Sequence, residues 1–292
     1  MTGWTLGIIG GSGLYTLDGL ANVREIGGST PWGEPSAPLI EGELHGVRLV
    51  FLPRHGPGHR LSPDAINYRA NIHALKRAGV TDVLSLSACG SLQETFVPGD
   101  FVIIDQYVDR TRGRASSFFG EGCVAHVPMA EPVCSRLSAM TESAATQAGA
   151  RTHRGGTYLA MEGPQFSTRA ESRLYRSWGC DVIGMTNMPE AKLAREAELP
   201  YASVAMVTDF DSWRTSDTPV DVPSILAVMQ RNGRRARDLV THLAAAMGQT
   251  PRTPSPDGIE TILDTAIVTP PSARDSAVVE RLGVIAGRVL GA

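Results

Sequence analysis

Asp209 and Asp211 stand two residues apart in the run YASVAMVTDFD. In an extended segment that spacing puts both side chains on one face. Two carboxylates held so close resist double ionisation, so one can carry a raised pKa and act as an acid. A second set of residues offers the complementary chemistry. Ser12 in GGSG, Arg54 and His55 in PRHGPGHR, Ser87 in SLSACG and Thr186 in GMTN are hydrogen-bond donors, with glycines within a few residues that let backbone N–H groups approach an anion. Such a set suits a phosphate-sized oxyanion. Phe166 adds an aromatic face and Met185 a soft apolar surface. An anion site, a platform for a planar ring and a proton donor together point to phosphorolysis of a nucleoside.

These groups need elements to position them, and the chain supplies apolar runs that break off into polar chemistry. LGIIG, VRLVFLP, VLSLSA, CDVIGMT and YASVAMVT read as buried strands. Their ends deliver Ser12, Arg54 with His55, Ser87, Thr186, and Asp209 with Asp211. APLIEGEL and VRLVFLP form an expected hairpin around His45 and Gly46, and Phe101 to Tyr107 reads as one further strand. Helices are expected over Asn67 to Ala78, Val133 to Ala148 and Val222 to Ala246. Another precedes CDVIGMT, with Thr168 and Glu171 spaced as a capping box and Gly179 as its stop. A helix from about Pro189 to Ala197 has a candidate cap at Asn187 with Glu190 three residues on. Helix, strand, helix, strand is the pattern of an α/β fold, whose ligands bind outside the carboxyl ends of the strands. The arginine-rich segment DRTRGRASSFFGEG is too irregular for a core element and reads as a loop that reaches a neighbour or covers a site. The run GQTPRTPSPD reads as a linker, followed by two terminal helices over Gly258 to Ala266 and Arg274 to Leu290. The expected organisation is a catalytic domain over 1–248 and a linker with a helical extension over 249–292, packed on the same domain or on a neighbouring subunit.

Composition narrows the function classes. The 292 residues are 42% hydrophobic, enough for a sizeable core. A formal net charge of −3 gives no basic surplus for nucleic acid. Four scattered cysteines form no CxxC pair, which disfavours a metal site and a disulfide framework and favours reduced thiols in a cytoplasmic protein. The opening MTGWTLGIIGGSG lacks the marks of a signal peptide, and no apolar run approaches the roughly 18 residues of a membrane span. A dinucleotide fingerprint fails in register, because no third glycine follows Gly11 and Gly13 at the required spacing.

The ordered set GIIGGSGL, PRHGPGHR, NYRANIHALK, SACGSL, PGDFVIIDQYVDRT, HVPMAEP, MEGPQFSTRAES, MTNMPEAKLARE and YASVAMVTDFDSW resembles S-methyl-5′-thioadenosine phosphorylases, trimer-forming members of the purine nucleoside phosphorylase superfamily. The resemblance runs from about residue 5 to residue 240. It implies a single α/β domain with a central mixed sheet flanked by helices, a homotrimer with active sites near subunit interfaces, and no metal or organic cofactor, inorganic phosphate being a co-substrate. It also implies roles. Ser12, Arg54, His55, Ser87, Ala88 and Thr186 match the phosphate site. Phe166 matches the purine-stacking aromatic, Ser167 follows it in the base pocket, and Met185 lies against the ribose. Asp209 and Asp211 match the adenine-reading pair. His59, Val222, Ile225 and Leu226 match positions near the 5′-alkylthio group, and His126 matches a residue offered by the adjacent subunit. Gly184 stands where some relatives carry Asn.

The implied reaction converts S-methyl-5′-thioadenosine and phosphate to adenine and 5-methylthioribose 1-phosphate, a pentosyl transfer in purine and methionine salvage. One alternative is a phosphorylase for 6-oxopurine nucleosides or methylthioinosine, although relatives with that preference tend to carry Asn where this chain has Asp209. An alternative of another class is a non-catalytic nucleoside-binding protein, which intact candidates in both half-sites disfavour.

Overall fold

The computed structural model describes residues 3–11, 14, 16–214 and 222–291, apart from the side chains of residues 222–225 and 227. Ser12 lies outside the described residues, as do the side chains of Val222 and Ile225. In chain order the strands are β1 (Thr5–Gly10), β2 (Ala21–Ile26), β3 (Leu39–Leu44), β4 (Val47–Pro53), β5 (Asp82–Ser91), β6 (Phe101–Ile103), β7 (Gln106–Asp109), β8 (Thr152–Arg154), β9 (Thr157–Ala160), β10 (Val182–Gly184) and β11 (Tyr201–Phe210). The α-helices are α1 (Tyr68–Arg77), α2 (Ser135–Gln147), α3 (Arg169–Ser177), α4 (Asn187–Glu196), α5 (Val222–Gly248), α6 (Leu263–Ala266), α7 (Ser276–Arg281) and α8 (Gly283–Leu290).

All eleven strands join one mixed sheet with helices on both faces. Neighbouring residues on one strand feed opposite layers. Ile9 and Val83 pack towards α1, α4 and α8, while Ile8 and Leu84 pack towards α2 and α5. That two-sided burial is why β1, β5 and β11 read as continuous apolar runs rather than alternating ones. The β3–β4 hairpin turns at His45 and Gly46, both at positive φ (53° and 75°), as its tight turn requires. The Thr168–Glu171 capping box is present on α3, and α1 is capped by the Asn67 side chain accepting from the Ala70 N–H.

β5 is the axis of the sheet. Along one edge it pairs with parallel β11 from Val83 to Ser91. Along the other it pairs first with parallel β1, over Asp82 to Ser85, and then with antiparallel β10, at Gly90 and Ser91. β1 and β10 therefore approach the same edge from opposite directions, carboxyl end towards carboxyl end. Between them Leu86 to Cys89 is left without a neighbouring strand. A ligand cleft forms at such a break in strand order. Ser87 accordingly sits within β5 and not at its end, as the short apolar run VLSLSA leads one to expect. The run Phe101 to Tyr107 is also not one strand. β6 pairs with β11 and β8, whereas β7 joins β9 at the far end of the sheet.

The segment after α5 is tied down along its length. Trp4 Nε1 donates to the Thr250 carbonyl at 2.8 Å, and Arg252 bridges Asp82 and Glu260, each at 2.7 Å. Each expected terminal helix is two shorter pieces, the first a 3-10 turn at Ile259–Thr261 followed by α6, the second α7 and α8 meeting at Leu282, with α7 started by Asp275, whose carboxylate accepts from the Ala277 and Val278 amides. Leu282 and Ile285 are buried in the layer shared with α1, and Arg288 pairs with Glu198 and Asp264.

Five elements are locked together by one buried ion pair. Arg54, just past β4, gives Nε to Glu190 Oε2 at 2.9 Å and Nη2 to Oε1 at 3.2 Å, with side chains 3% and 2% exposed. Ser85 Oγ of β5 and the Tyr201 hydroxyl of β11 donate to the same Oε1, at 2.6 and 2.9 Å. Nη1 of Arg54 reaches the Leu86 carbonyl at 3.2 Å, and Nη2 the Ile9 carbonyl of β1 at 3.5 Å. Burial alone would lower the guanidinium pKa, but the facing Glu190 carboxylate outweighs it and the net shift is upward. The expected capping box of Asn187 with Glu190 is absent for this reason: Glu190 is turned inward to Arg54. Asn187, fully buried, spends its amide on Ser203 and Tyr107. Glu190→Gln should leave an uncompensated buried guanidinium and cost about 3–5 kcal/mol. A urea unfolding midpoint that moves by less than about 1 kcal/mol equivalent would show that the pair does not hold these elements.

Candidate active site

A cavity of about 710 Å3 opens over the unpaired stretch of β5. Leu86, Ser87, Ala88 and Cys89 all line it, as do Gly11 after β1, Gly184 at the end of β10, and Met185 and Thr186 after it. The volume is in the range of small-molecule sites. The cavity has two chemically distinct ends.

One end is built of neutral donors. Ser87 is 5% exposed and its Oγ has no hydrogen-bond partner within the described residues. Thr186 occupies the N-cap position of α4 yet makes no side-chain cap bond. α4 is kinked at Met188, which is extended, and Pro189 after it has no N–H, so its start offers no run of free helical amides. Arg54 lines the same end, but its charge is matched by Glu190, and four of its five N–H groups go to acceptors already named. One Nη1 hydrogen remains. His55 is committed differently from expectation. Its Nδ1 lies 2.9 Å from the Leu61 carbonyl and must donate there, and its ring stacks on His59 at 4.0 Å. Burial, with the Arg54 charge beside it, pushes its pKa down to about 4, so the ring is neutral at physiological pH. No backbone carbonyl within the described residues takes up the His55 backbone N–H, which leaves that group for an anion.

The other end holds the carboxylates. β11 carries a bulge at Thr208, since Val207 pairs with Cys89 while Asp209 pairs with Gly90. The bulge turns Asp209 and Asp211 over Gly90. A Cβ at that glycine would stand 3.0 Å from Asp209 Oδ1 and 3.3 Å from Asp211 Cβ, so a side chain there would displace both acids. Burial raises Asp209 from its ordinary 3.8 to about 6, and the Asp211 charge adds to the shift. Thr208 Oγ1 faces two acceptors with one hydrogen, Asp209 Oδ2 at 2.7 Å and the Cys89 carbonyl at 3.1 Å. Asp211 is raised chiefly by burial, with the Ser172 and Ser167 hydroxyls opposing, and its Oδ2 is buried without a hydrogen-bond partner.

Phe166 lines the cavity and is 48% exposed, leaving a ring face open to a planar ligand. Met185 lines the same cavity. The Met185 carbonyl is clamped by Arg114, whose Nη1 reaches it at 2.6 Å and the Met188 carbonyl at 2.9 Å, while Nη2 takes the Glu162 carbonyl at 2.6 Å. The Arg114 side chain is only 2% exposed, so the arginine-rich segment is an inserted strap and not a free loop. Phe118 and Phe119 are buried with it.

Among the other expected residues, Ala88 and His59 line the cavity. Ser167 is buried behind it, with Oγ 3.6 Å from Met161 Sδ. His126 is exposed and outside it, its amide bonded to the Ala266 carbonyl. Leu226 is 51% exposed and does not line it; among the described residues α5 contributes Met229, Asn232, Gly233 and Arg237. Asn232 donates to the Val207 carbonyl at 3.0 Å, next to the bulge that aims Asp209. The apolar spacing of α5 draws attention to its core face, whereas Asn232 and Arg237 fall on the face that meets the cavity.

Comparison with known proteins identifies the family and fold. Residues 5–245 match the model of the phosphorylase superfamily. The S-methyl-5′-thioadenosine phosphorylase of Cereibacter sphaeroides is 57% identical over 98% of both chains, and that of Bradyrhizobium diazoefficiens is 57% identical over 99% of both. Among solved structures, a methylthioadenosine phosphorylase from an antarctic soil metagenomic library superposes with a TM-score of 0.91 at 45% identity, covering 98% of this chain and 99% of that one. The Schistosoma mansoni methylthioadenosine phosphorylase in complex with adenine gives 0.84 at 38% identity over 90% and 99%. The expectation of a single α/β domain with a mixed central sheet holds, and the chain belongs to the phosphorylase superfamily, in its S-methyl-5′-thioadenosine phosphorylase family.

Proposed function

We propose that this protein catalyses phosphorolysis of S-methyl-5′-thioadenosine, releasing adenine and 5-methylthioribose 1-phosphate. The observation that carries the reading is one cavity holding an acid poised near neutrality, Asp209, opposite a set of neutral donors fit for phosphate. Phosphate is held by Ser87 and Thr186, with Ser12, Ala88 and the His55 amide completing the set. The nucleoside lies between Phe166 and Met185. As the glycosidic bond loosens, the sugar gains oxocarbenium character and the adjacent phosphate stabilises it before bonding to C1′. Adenine leaves readily only when N7 gains a proton. Asp209 supplies it, and Asp211, ionised, accepts from the exocyclic amine. The reaction needs phosphate as co-substrate and calls on no further group.

Adenine offers an acceptor at N7 and a donor at C6, whereas a 6-oxopurine offers acceptors at both. One protonated and one ionised carboxylate therefore match adenine. Adenine release from methylthioadenosine should require phosphate; release without it, or none with it, overturns the reading. Asp209→Asn should lose activity on methylthioadenosine and shift the ratio of catalytic efficiencies towards methylthioinosine, and a folded variant with an unchanged ratio would remove Asp209 from base recognition.

The same reading includes a homotrimer, with His126 of one subunit reaching the pocket of the next. The exposed position of His126, outside its own cavity, supports this arrangement. Light scattering should give three subunits, and His126→Ala should raise KM for the nucleoside; a fully active monomer refutes it.

Burial of Asp209 also sets a pH dependence of stability. A carboxyl raised from 3.8 to about 6 favours the fold while protonated, fully so below about pH 4, and loses that contribution as pH rises through about 6. Relative to Asp209→Asn, wild-type stability should fall by on the order of 2–3 kcal/mol between about pH 4 and pH 7. A difference that stays flat in paired urea titrations would mean the carboxyl titrates normally.

A further inference from the structure

Tyr158 of β9 is fully buried, and its hydroxyl has no hydrogen-bond partner within the described residues. An unsatisfied buried hydroxyl destabilises the fold unless something completes it. Its location says what that could be. The hydroxyl fills the space above Gly184: a Cβ there would stand 1.9 Å from Tyr158 Oη and 2.6 Å from Cζ. Gly184 is the last residue of β10 and lines the cavity directly before Met185 and Thr186. The Ser87 hydroxyl and the Thr186 amide are close enough to bear on the ionisation of Tyr158, opposing the effect of burial. Ser87 Oγ is itself buried and unpartnered. Two orphaned hydroxyls thus belong to the donor end of the cavity, Ser87 lining it and Tyr158 behind Gly184.

A hydroxyl has one hydrogen and can accept as well as donate, whereas an ionised phosphate oxygen only accepts. With phosphate present a single direction satisfies all three groups: Tyr158 donates to Ser87, and Ser87 donates to phosphate. With burial pushing its pKa up to about 12, Tyr158 keeps its proton to give. We infer that Tyr158 is a positioning residue, whose hydroxyl turns the one Ser87 hydrogen towards phosphate and completes the anion site only when phosphate is bound. The inference rests on the proposed placement of phosphate beside Ser87. It also accounts for Gly184, since any larger residue there would evict the Tyr158 hydroxyl.

Tyr158→Phe removes the oxygen and keeps the ring. KM for phosphate should rise about three- to tenfold, the worth of one hydrogen bond, with KM for the nucleoside unchanged. The melting temperature without phosphate should hold or rise, because an orphaned group has gone. The rise in melting temperature that phosphate confers on the wild type should shrink, a readout independent of turnover. In a Ser87→Ala background, Tyr158→Phe should add nothing further, since Tyr158 acts through Ser87. An unchanged phosphate KM in Tyr158→Phe, where Ser87→Ala does raise it, overturns the relay alone. Independent, additive losses in the double variant overturn it too. If Ser87→Ala leaves the phosphate KM untouched, the phosphate placement fails and the relay falls with it.

Discussion

The buried Arg54–Glu190 pair is the constraint on which the rest of the site depends. Moving two charges out of water costs several kcal/mol per ion, recovered only when geometry and hydrogen bonding are nearly complete. Here they are. The carboxylate receives Arg54 Nε and Nη2, Ser85 Oγ and the Tyr201 hydroxyl, and the guanidinium also meets two backbone carbonyls. Those partners come from the end of β1, the loop after β4, the middle of β5, the first turn of α4 and the start of β11. None can shift without exposing a charge to a low-dielectric interior. The start of α4, and hence Thr186, is fixed above Ser87 as a result.

The cleft raises a second accounting problem. Where β1 and β10 fall short of meeting, β5 presents backbone groups with no neighbouring strand, and buried carbonyls need partners. The site's own side chains supply them. Arg54 takes the Leu86 carbonyl in the gap; on the opposite edge, where the bulge interrupts pairing, Thr208 takes the Cys89 carbonyl and Asn232 and the Gly99 amide share the carbonyl of Val207. The groups that satisfy the gap are therefore the groups that shape the pocket. A bulge in β11 and a break along the opposite edge of β5 are two sides of one device that brings carboxylates and hydroxyls to the same cavity.

How much of this was legible in the sequence follows from the range of each signal. The buried strands, the β3–β4 hairpin and the Thr168–Glu171 box depend on residues a few positions apart, and they are where periodicity and capping rules place them. Glu190 shows the limit. Three residues after Asn187 it fits a local cap, and nothing local reveals Arg54, 136 positions earlier, as its partner. Arg114 is hidden in the same way, because a polar, irregular segment looks like surface until the carbonyls it clamps are folded around it. β2, exposed along nearly its whole length, carries no apolar pattern to betray an edge strand. The linker signal after α5 was compositional, and Asp82 gives that segment a fixed place through Arg252. Motif types located the site's candidates, but their partners, which decide charge and orientation, lie at long range.

The charge balance that results bears directly on the proposed chemistry. A free arginine against phosphate would bind it tightly but quench the negative field that the developing oxocarbenium needs. Glu190 prevents this by neutralising Arg54 before any ligand arrives, and His55, with its pKa near 4, adds no positive charge. In the proposed reaction phosphate would then be held by hydroxyls and the His55 amide, which orient it while leaving most of its charge facing the sugar. At the opposite end burial works the other way, keeping a proton within reach on Asp209 when its bulk pKa would have surrendered it. Bond cleavage in the nucleoside creates a cation on the sugar and an anion on the base. The cavity meets the first with an unquenched anion and the second with an acid, so its electrostatic preference is for the separated charges of the transition state over the neutral nucleoside.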